Sequence, residues 1–180
     1  PPAISVDREG RVYVLYFADD QQSSTSFFSH SDNGTLFSTP IKISSEANTW
    51  YHYQTEMLVD AKNRIHFIWH DTRDRAEYKK QGGGDLSIYH ASAKTKTIEA
   101  PFSDQRIAKN ICSCCRTAMA EDVDGNLVIL ARFVYPGNIR DHGLFKLSSD
   151  GKAGEPWRVT FDDWEIEGCP THGPALSIST

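Results

Sequence analysis

Short apolar runs alternate with turn residues along the whole chain, and no eleven-residue window carries a helical period. Ala3-Ile4-Ser5-Val6-Asp7, then Gly10-Arg11-Val12-Tyr13-Val14, reads as a strand, a tight turn and a second strand. The same pattern returns in Glu56-Met57-Leu58-Val59-Asp60 with Asn63-Arg64-Ile65-His66-Phe67. It returns again in Ala118-Met119-Ala120-Glu121-Asp122 with Gly125-Asn126-Leu127-Val128-Ile129. Gly or Asn stands where a hairpin turn needs a positive φ. The aligned aspartates Asp7, Asp60 and Asp122 are 53 and 62 residues apart. A fourth copy begins at Ala175-Leu176-Ser177-Ile178-Ser179. Further strand-like runs fall at Thr25–Ser31, Pro40–Ser44, Leu86–Ala91, Leu144–Ser148 and Trp157–Thr160. Four short strands per roughly 55 residues is the period of a β-propeller blade.

The expected fold is therefore all-β: a propeller of four-stranded antiparallel blades, with about three blades and one further strand present. The blades are expected at about 1–48, 49–111 and 112–168, and the next starts in 169–180. Three blades do not close a ring, since propellers need four to eight. The expected companions are the remaining blades of a longer protein or a second copy of the chain, with the longer protein favoured. An ordinary β-sandwich is the alternative. The chain opens Pro-Pro-Ala-Ile, without Met or a basic and apolar leader, which fits a removed targeting segment or a piece of something longer.

Composition narrows the partners. The chain has 180 residues and a net charge of −5, from 19 basic and 24 acidic residues. A nucleic-acid binder carries a basic excess, so that class is set aside. No apolar run is long enough for a membrane-spanning helix. Three of the four cysteines, Cys112, Cys114 and Cys115, fall within four positions, and the fourth is Cys169. A disulfide framework spreads its cysteines along the chain, so this cluster points to a local thiol site or redox pair as much as to a staple.

Asp32-Asn33-Gly34-Thr35-Leu36-Phe37 resembles the Asp-box of sialidase-type (BNR-repeat) propellers, with His30 for the usual Ser and Phe37 for the Trp. Ser148-Ser149-Asp150-Gly151, with Trp157 later, resembles a stretched second copy; Ser92-Ala93-Lys94 is a decayed one. Asp32, Phe37, Asp150 and Trp157 are expected to be scaffold: the Asp accepts its turn's N–H groups and the aromatic packs between sheets. A further set is Cys114-Cys115-Arg116-Thr117-Ala118, Arg140-Asp141 and Trp164-x-Ile166-x-Gly168-Cys169-Pro170-Thr171-His172-Gly173-Pro174-Ala175. It is similar to exported bacterial proteins of the sialidase-like group. The resemblance covers essentially the whole chain. It implies an extracytoplasmic (periplasmic or secreted) propeller that binds an acidic glycan or a small-molecule ligand, with or without glycosidase activity; the alternatives are a non-catalytic extracytoplasmic protein whose cysteine cluster binds copper or zinc, and an interaction scaffold.

A blade meander places the starts of the innermost strands and the second-to-third-strand loops on one face. Those segments are Trp50–Gln54, Cys112–Arg116 and Cys169–Gly173; the loops are Ala18–Ser24, His70–Gly84 and Arg132–Asp141. Cys112 and Cys169 each stand six residues before an aligned Ala, and Cys115 and His172 three before it. The remote thiols are thus expected to meet. Cys112, Cys114, Cys115, Cys169 and His172 could supply a tetrahedral set for copper or zinc. Alternatively, Cys169 forms a disulfide with one of the cluster, or the thiols stay unpaired. Arg73, Arg116, Arg132 and Arg140 are the candidates for binding a carboxylate, because guanidinium forks bind it bidentately. Asp71 and Asp141 are the candidate acid/base carboxylates. The Arg-Ile-Pro motif of a sialidase site is absent, and no tyrosine–glutamate pair can be assigned. The plain alternative is that Asp71 with Arg73, or Arg140 with Asp141, form loop-tying ion pairs.

Overall fold

In a computed structural model, the structure describes residues 2–19, 24–45, 52–79, 86–98, 102–166, 168 and 172–179. Three four-stranded antiparallel sheets follow one another along the chain. The first contains β1 (Ala3–Val6), β2 (Val12–Asp19), β3 (Ser24–Ser31) and β4 (Ile41–Lys42). The second contains β5 (His52–Val59), β6 (Arg64–Asp71), β7 (Leu86–Lys94) and β8 (Asp104–Ile111), with the one-turn helix α1 (Arg75–Lys79) between β6 and β7. The third contains β9 (Ala118–Glu121), β10 (Leu127–Arg132), β11 (His142–Leu147) and β12 (Trp157–Arg158). Each sheet is a simple meander, and β5 lies beside both β1 and β9. Neighbouring innermost strands in successive meanders are the arrangement of propeller blades, and three sheets are not the pair of a sandwich.

The three first hairpins close in the same register: Val6 opposite Val12, Val59 opposite Ile65, and Glu121 opposite Leu127. One aspartate explains each turn. Asp7 Oδ1 accepts the N–H groups of Glu9 (2.9 Å) and Arg11 (3.0 Å). Asp60 Oδ1 accepts those of Lys62 (2.9 Å) and Arg64 (2.7 Å). Asp122 Oδ1 accepts those of Asp124 (3.1 Å) and Asn126 (2.9 Å). The residue at the third position beyond each aspartate has φ of +83° (Gly10), +56° (Asn63) or +80° (Gly125). Gly and Asn occupy that left-handed region with least strain.

Two cores lie between the sheets. Tyr13, Leu15 and Phe28 of the first meet Phe67, Trp69 and Tyr89 of the second. Ile68, Ile88 and Ile111 of the second meet Ile129, Phe133 and Phe145 of the third. The second sheet is therefore covered on both faces. Phe67 and Trp69 of β6 look one way and Ile68 the other, so nearly the whole strand is buried. Complete burial of such side chains contributes roughly 2–3 kcal/mol each.

Two local expectations change. In the first Asp-box, Asn33 rather than Asp32 accepts the turn's N–H groups, from Thr35 (2.9 Å) and Leu36 (3.0 Å). Asp32 instead pairs with Arg11 at 2.5 Å. Asp150 does accept from its own turn, through Lys152 N at 3.4 Å. Phe37 and Trp157 are 45% and 48% exposed, so neither is packed away between sheets. The strand expected from Ala175 has no ladder partner among the described residues.

Candidate functional site

The cysteine loop hangs between the second and third sheets. Cys112 N donates to Arg132 O at 2.9 Å and Val134 N to Asn110 O at 2.8 Å, so the end of β8 is stitched to the chain beyond β10. Cys112 and Cys115 are buried free thiols, with their sulfurs 3.1 Å apart. They are separated by two residues, a Cys-x2-Cys spacing. Cys114 is disulfide-bonded, and the three sulfurs lie within 4.8 Å of one another. Cys169 lies outside the described residues. Its flanks reach the same loop. Gly168 O accepts from Arg140 Nη1 at 3.2 Å, and a Cβ on Gly173 would stand 2.3 Å from Arg116 Cβ. His172 is exposed.

The Cys112 thiol is drawn down to about 6, first by the hydrogen bond with Cys115, against burial, and further by the Cys114 N–H and Arg140. Arg140 Nη1 stands 3.4 Å from Cys112 Sγ. Cys115 moves the other way, raised by the same contact and by burial.

The candidate arginines divide. Arg73 is committed to two carboxylates: Nη2 lies 2.7 Å from Asp71 Oδ2, and Nη1 lies 3.3 Å from Asp104 Oδ1. Its guanidinium also lies 3.9 Å from the Tyr89 ring centroid. Asp71 is fully buried and further accepts Trp69 Nε1 at 2.9 Å and Arg73 N at 2.8 Å. His52 Nε2 lies 3.5 Å from it, and burial holds that imidazole down to about 4 against the carboxylate's pull. Arg140 and Asp141 do not pair with each other. Arg140 turns to Cys112 and Gly168, whereas buried Asp141 accepts from Arg158 and from Asp163 N (3.2 Å). Arg132 is buried, lies 4.8 Å from the Trp164 ring centroid, and has its Nε and Nη1 without partners among the described residues.

Arg116 is exposed and opens onto a cleft of about 320 Å³ that Ala3, Ile4, Gln54, Glu56 and Thr117 also line. Each sheet contributes to this cleft at or just before its innermost strand. Glu56 is the carboxyl that a search of the loops misses. It sits on β5 in a run with Met57, Leu58 and Val59, where composition reads as plain strand. Burial raises its pKa, and the Met57 N–H and Arg116 act in the opposite direction. The ladder is irregular between Tyr53 and Glu56, where Gln54 takes φ +47° and donates Nε2 to Cys114 O at 3.2 Å. Bulges of this kind re-aim side chains beside sites. The only sequence hint of it would have been a polar Gln-Thr-Glu run at the head of an apolar strand. Behind the cleft, His70 Nε2 lies 2.7 Å from Thr117 Oγ1, and complete burial holds its imidazole down to about 4.

A second polar cavity of about 310 Å³ lies at the opposite end of the blades, between the second and third sheets. On its wall Asp60, His66 and His90 form a chain, with contacts of 3.1 Å from Asp60 Oδ2 to His66 Nε2 and from His66 Nδ1 to His90 Nε2. Asp60 also closes its turn, so this chain begins as scaffold.

No family model matches the sequence, and no curated protein matches it. Solved structures do resemble the fold. A Hadza microbial sialidase superposes with a TM-score of 0.61 at 15% identity, over 87% of this chain and 37% of that one. A thermostable family-43 glycoside hydrolase gives 0.59 at 16%, over 89% and 59%. An alpha-L-arabinanase from Penicillium chrysogenum, complexed with arabinobiose, gives 0.59 at 13%, over 89% and 50%. The chain thus spans less than two thirds of each of these proteins. Among the described residues no helix is long and apolar enough to cross a membrane.

Proposed function

We propose that this chain is part of an extracytoplasmic, sialidase-like propeller that binds an acidic glycan in the cleft between the innermost strands. The observation that carries the proposal is the pairing of an exposed guanidinium, Arg116, with a carboxyl of raised pKa, Glu56, in one open cleft. Arg116 is the carboxylate-binding group, because no buried ion pair among the described residues consumes its fork, as one does that of Arg73. Glu56 is the acid/base candidate if the glycan is hydrolysed. A carboxyl held protonated closer to neutrality is what general acid catalysis requires. That role moves away from Asp71 and Asp141, whose buried oxygens are already engaged by arginines. Arg132 and Arg140 stand with the cysteines rather than in the cleft. The Cys114 disulfide supports an oxidising compartment. We assign Cys169 as its partner, because the chain on either side of it lies against Arg140 and Arg116.

A second reading is a copper or zinc site on Cys112, Cys114 and Cys115, supported by their mutual closeness. It requires the Cys114 disulfide to be reduced, since the thiolate is the metal ligand.

Titration calorimetry with a sialoside tests the first reading. Arg116→Ala is expected to weaken binding at least tenfold, and Glu56→Gln to remove turnover of a fluorogenic sialoside while leaving affinity within a few fold. Equal affinity in Arg116→Ala, or no sialoside binding by the full-length protein, overturns it.

A further inference from the structure

The cysteine loop carries more than a clamp. Cys112 and Cys115 are two free thiols at Cys-x2-Cys spacing, with sulfurs in contact at 3.1 Å. The loop that holds them is fixed at its start by Cys112 N to Arg132 O and, one turn later, by His70 against Thr117. Two cations face the pair. Arg140 Nη1 reaches Cys112 Sγ at 3.4 Å, and Arg132 is close enough to act electrostatically on Cys115. Three guanidinium nitrogens, Arg132 Nε and Nη1 and Arg140 Nε, are buried without partners among the described residues. Leaving buried N–H groups unpaired costs free energy that an acceptor placed among them would return.

We propose that Cys112 and Cys115 form a redox-active dithiol that reduces hydroperoxides, with Cys112 attacking and Cys115 resolving. In the first step Cys112 sulfur attacks a peroxide oxygen. The O–O bond breaks, Cys112 becomes a sulfenic acid, and hydroxide leaves to take up the thiol proton as water. The sulfur loses two electrons and the peroxide gains them. The new sulfenic oxygen is an acceptor beside the guanidinium groups. In the second step Cys115 sulfur attacks Cys112 sulfur. The S–S bond forms, the S–O bond breaks, and hydroxide leaves with the Cys115 proton. Two thiols and one hydrogen peroxide thus give one disulfide and two waters. Burial of both sulfurs selects a small oxidant: each residue is 1% exposed, too enclosed for a bulky aromatic disulfide. Cys114 takes no part, because its sulfur is already in a disulfide. This chemistry is separate from the sugar cleft and does not depend on it.

The experiment uses the full chain with its Cys114 disulfide intact. Hydrogen peroxide is expected to remove two free thiols per chain, counted under denaturant, with the mass falling by two hydrogens. An aromatic disulfide reagent at equal concentration is expected to react at least tenfold more slowly with the folded protein. Cys115→Ser is expected to stop at a dimedone-reactive sulfenic acid on Cys112. Arg140→Met is expected to slow the first step at least tenfold, and Arg140→Lys to recover most of it. Two thiols still present after peroxide treatment of the wild-type protein would overturn the proposal. So would unchanged peroxide consumption in Cys112→Ser, or a stoichiometric metal ion on the pair in the protein as purified. Thiol counting on the wild type needs no variant to fold.

Discussion

The two ends of the blades solve different problems. At the turn end each sheet uses the same device: an aspartate whose Oδ1 takes two N–H groups of its own turn. The partners of the other oxygen vary: Tyr13 in the first sheet, His66 in the second, and Lys146 with the Asn126 side chain in the third. At the loop end no such device repeats among the described residues. The second sheet places the Asp71–Arg73–Asp104 network there, and the third places Arg140 against a thiol. The cleft takes one contribution from each sheet. A scaffold task is local and identical in every repeat, so one residue type performs it each time. A binding task is assembled across repeats, so no repeat needs to resemble the next.

The sharpest way to break this contrast is at the loop end, where part of the charge is also scaffold. Arg73→Met leaves Asp71 and Asp104 without their cation, and Asp71 is fully buried. Breaking a buried pair from one side is expected to cost about 4 kcal/mol in urea unfolding. A loss under about 1 kcal/mol would mean that Arg73 is available for ligand after all.

Next in size is a pH effect. The His70 imidazole is depressed to about 4 in the folded chain, against an ordinary value of 6.5. Between those values the unfolded chain binds the proton and the folded chain does not, so stability is retained above pH 6.5 and lost as pH falls towards 4. The expected contribution is about 3 kcal/mol for complete passage. It appears as a steeper acid loss in the wild type than in His70→Asn, measured by urea midpoints across that window. Parallel curves would remove His70 from the account.

The smallest effect separates the turns themselves. Asp60→Ala removes the acceptor for Lys62 N and Arg64 N and strands His66, and about 2 kcal/mol is expected in the same assay. Asp122→Ala is expected to cost less, because its Lys146 partner is itself exposed. Equal losses would show that the backbone cap alone sets the value.

The legibility of the chain follows the same division. The hairpins could be read because Asp7, Asp60 and Asp122 do one job with a fixed offset to Gly or Asn. β8 was not legible: its burial does not alternate, and its ladder with β7 shifts register at Ile88. The helix α1 is a single turn, shorter than any window that senses period. At the site, repeat alignment alone draws Cys112, Cys114, Cys115, Arg116 and Arg140 to one region, and the structure brings them to one loop end. Asp71 and Arg73 read as loop charges, yet Asp71 is fully buried, because burial depends on which sheets cover β6. Glu56 hides at the head of an apolar strand, since the short polar Gln54-Thr55-Glu56 run is too weak a mark to locate the bulge.

The cleft has a consequence for how such a chain can change. Its wall draws on Ala3, Glu56 and Arg116, one from each sheet, and Gly173 from beyond the third sheet is pressed onto Arg116. Copying a single repeat would therefore multiply the hinge aspartate but never the cleft. Chemistry in the cleft is assembled from three sheets at once, so its inheritance is all-or-nothing, whereas each turn can be edited one sheet at a time.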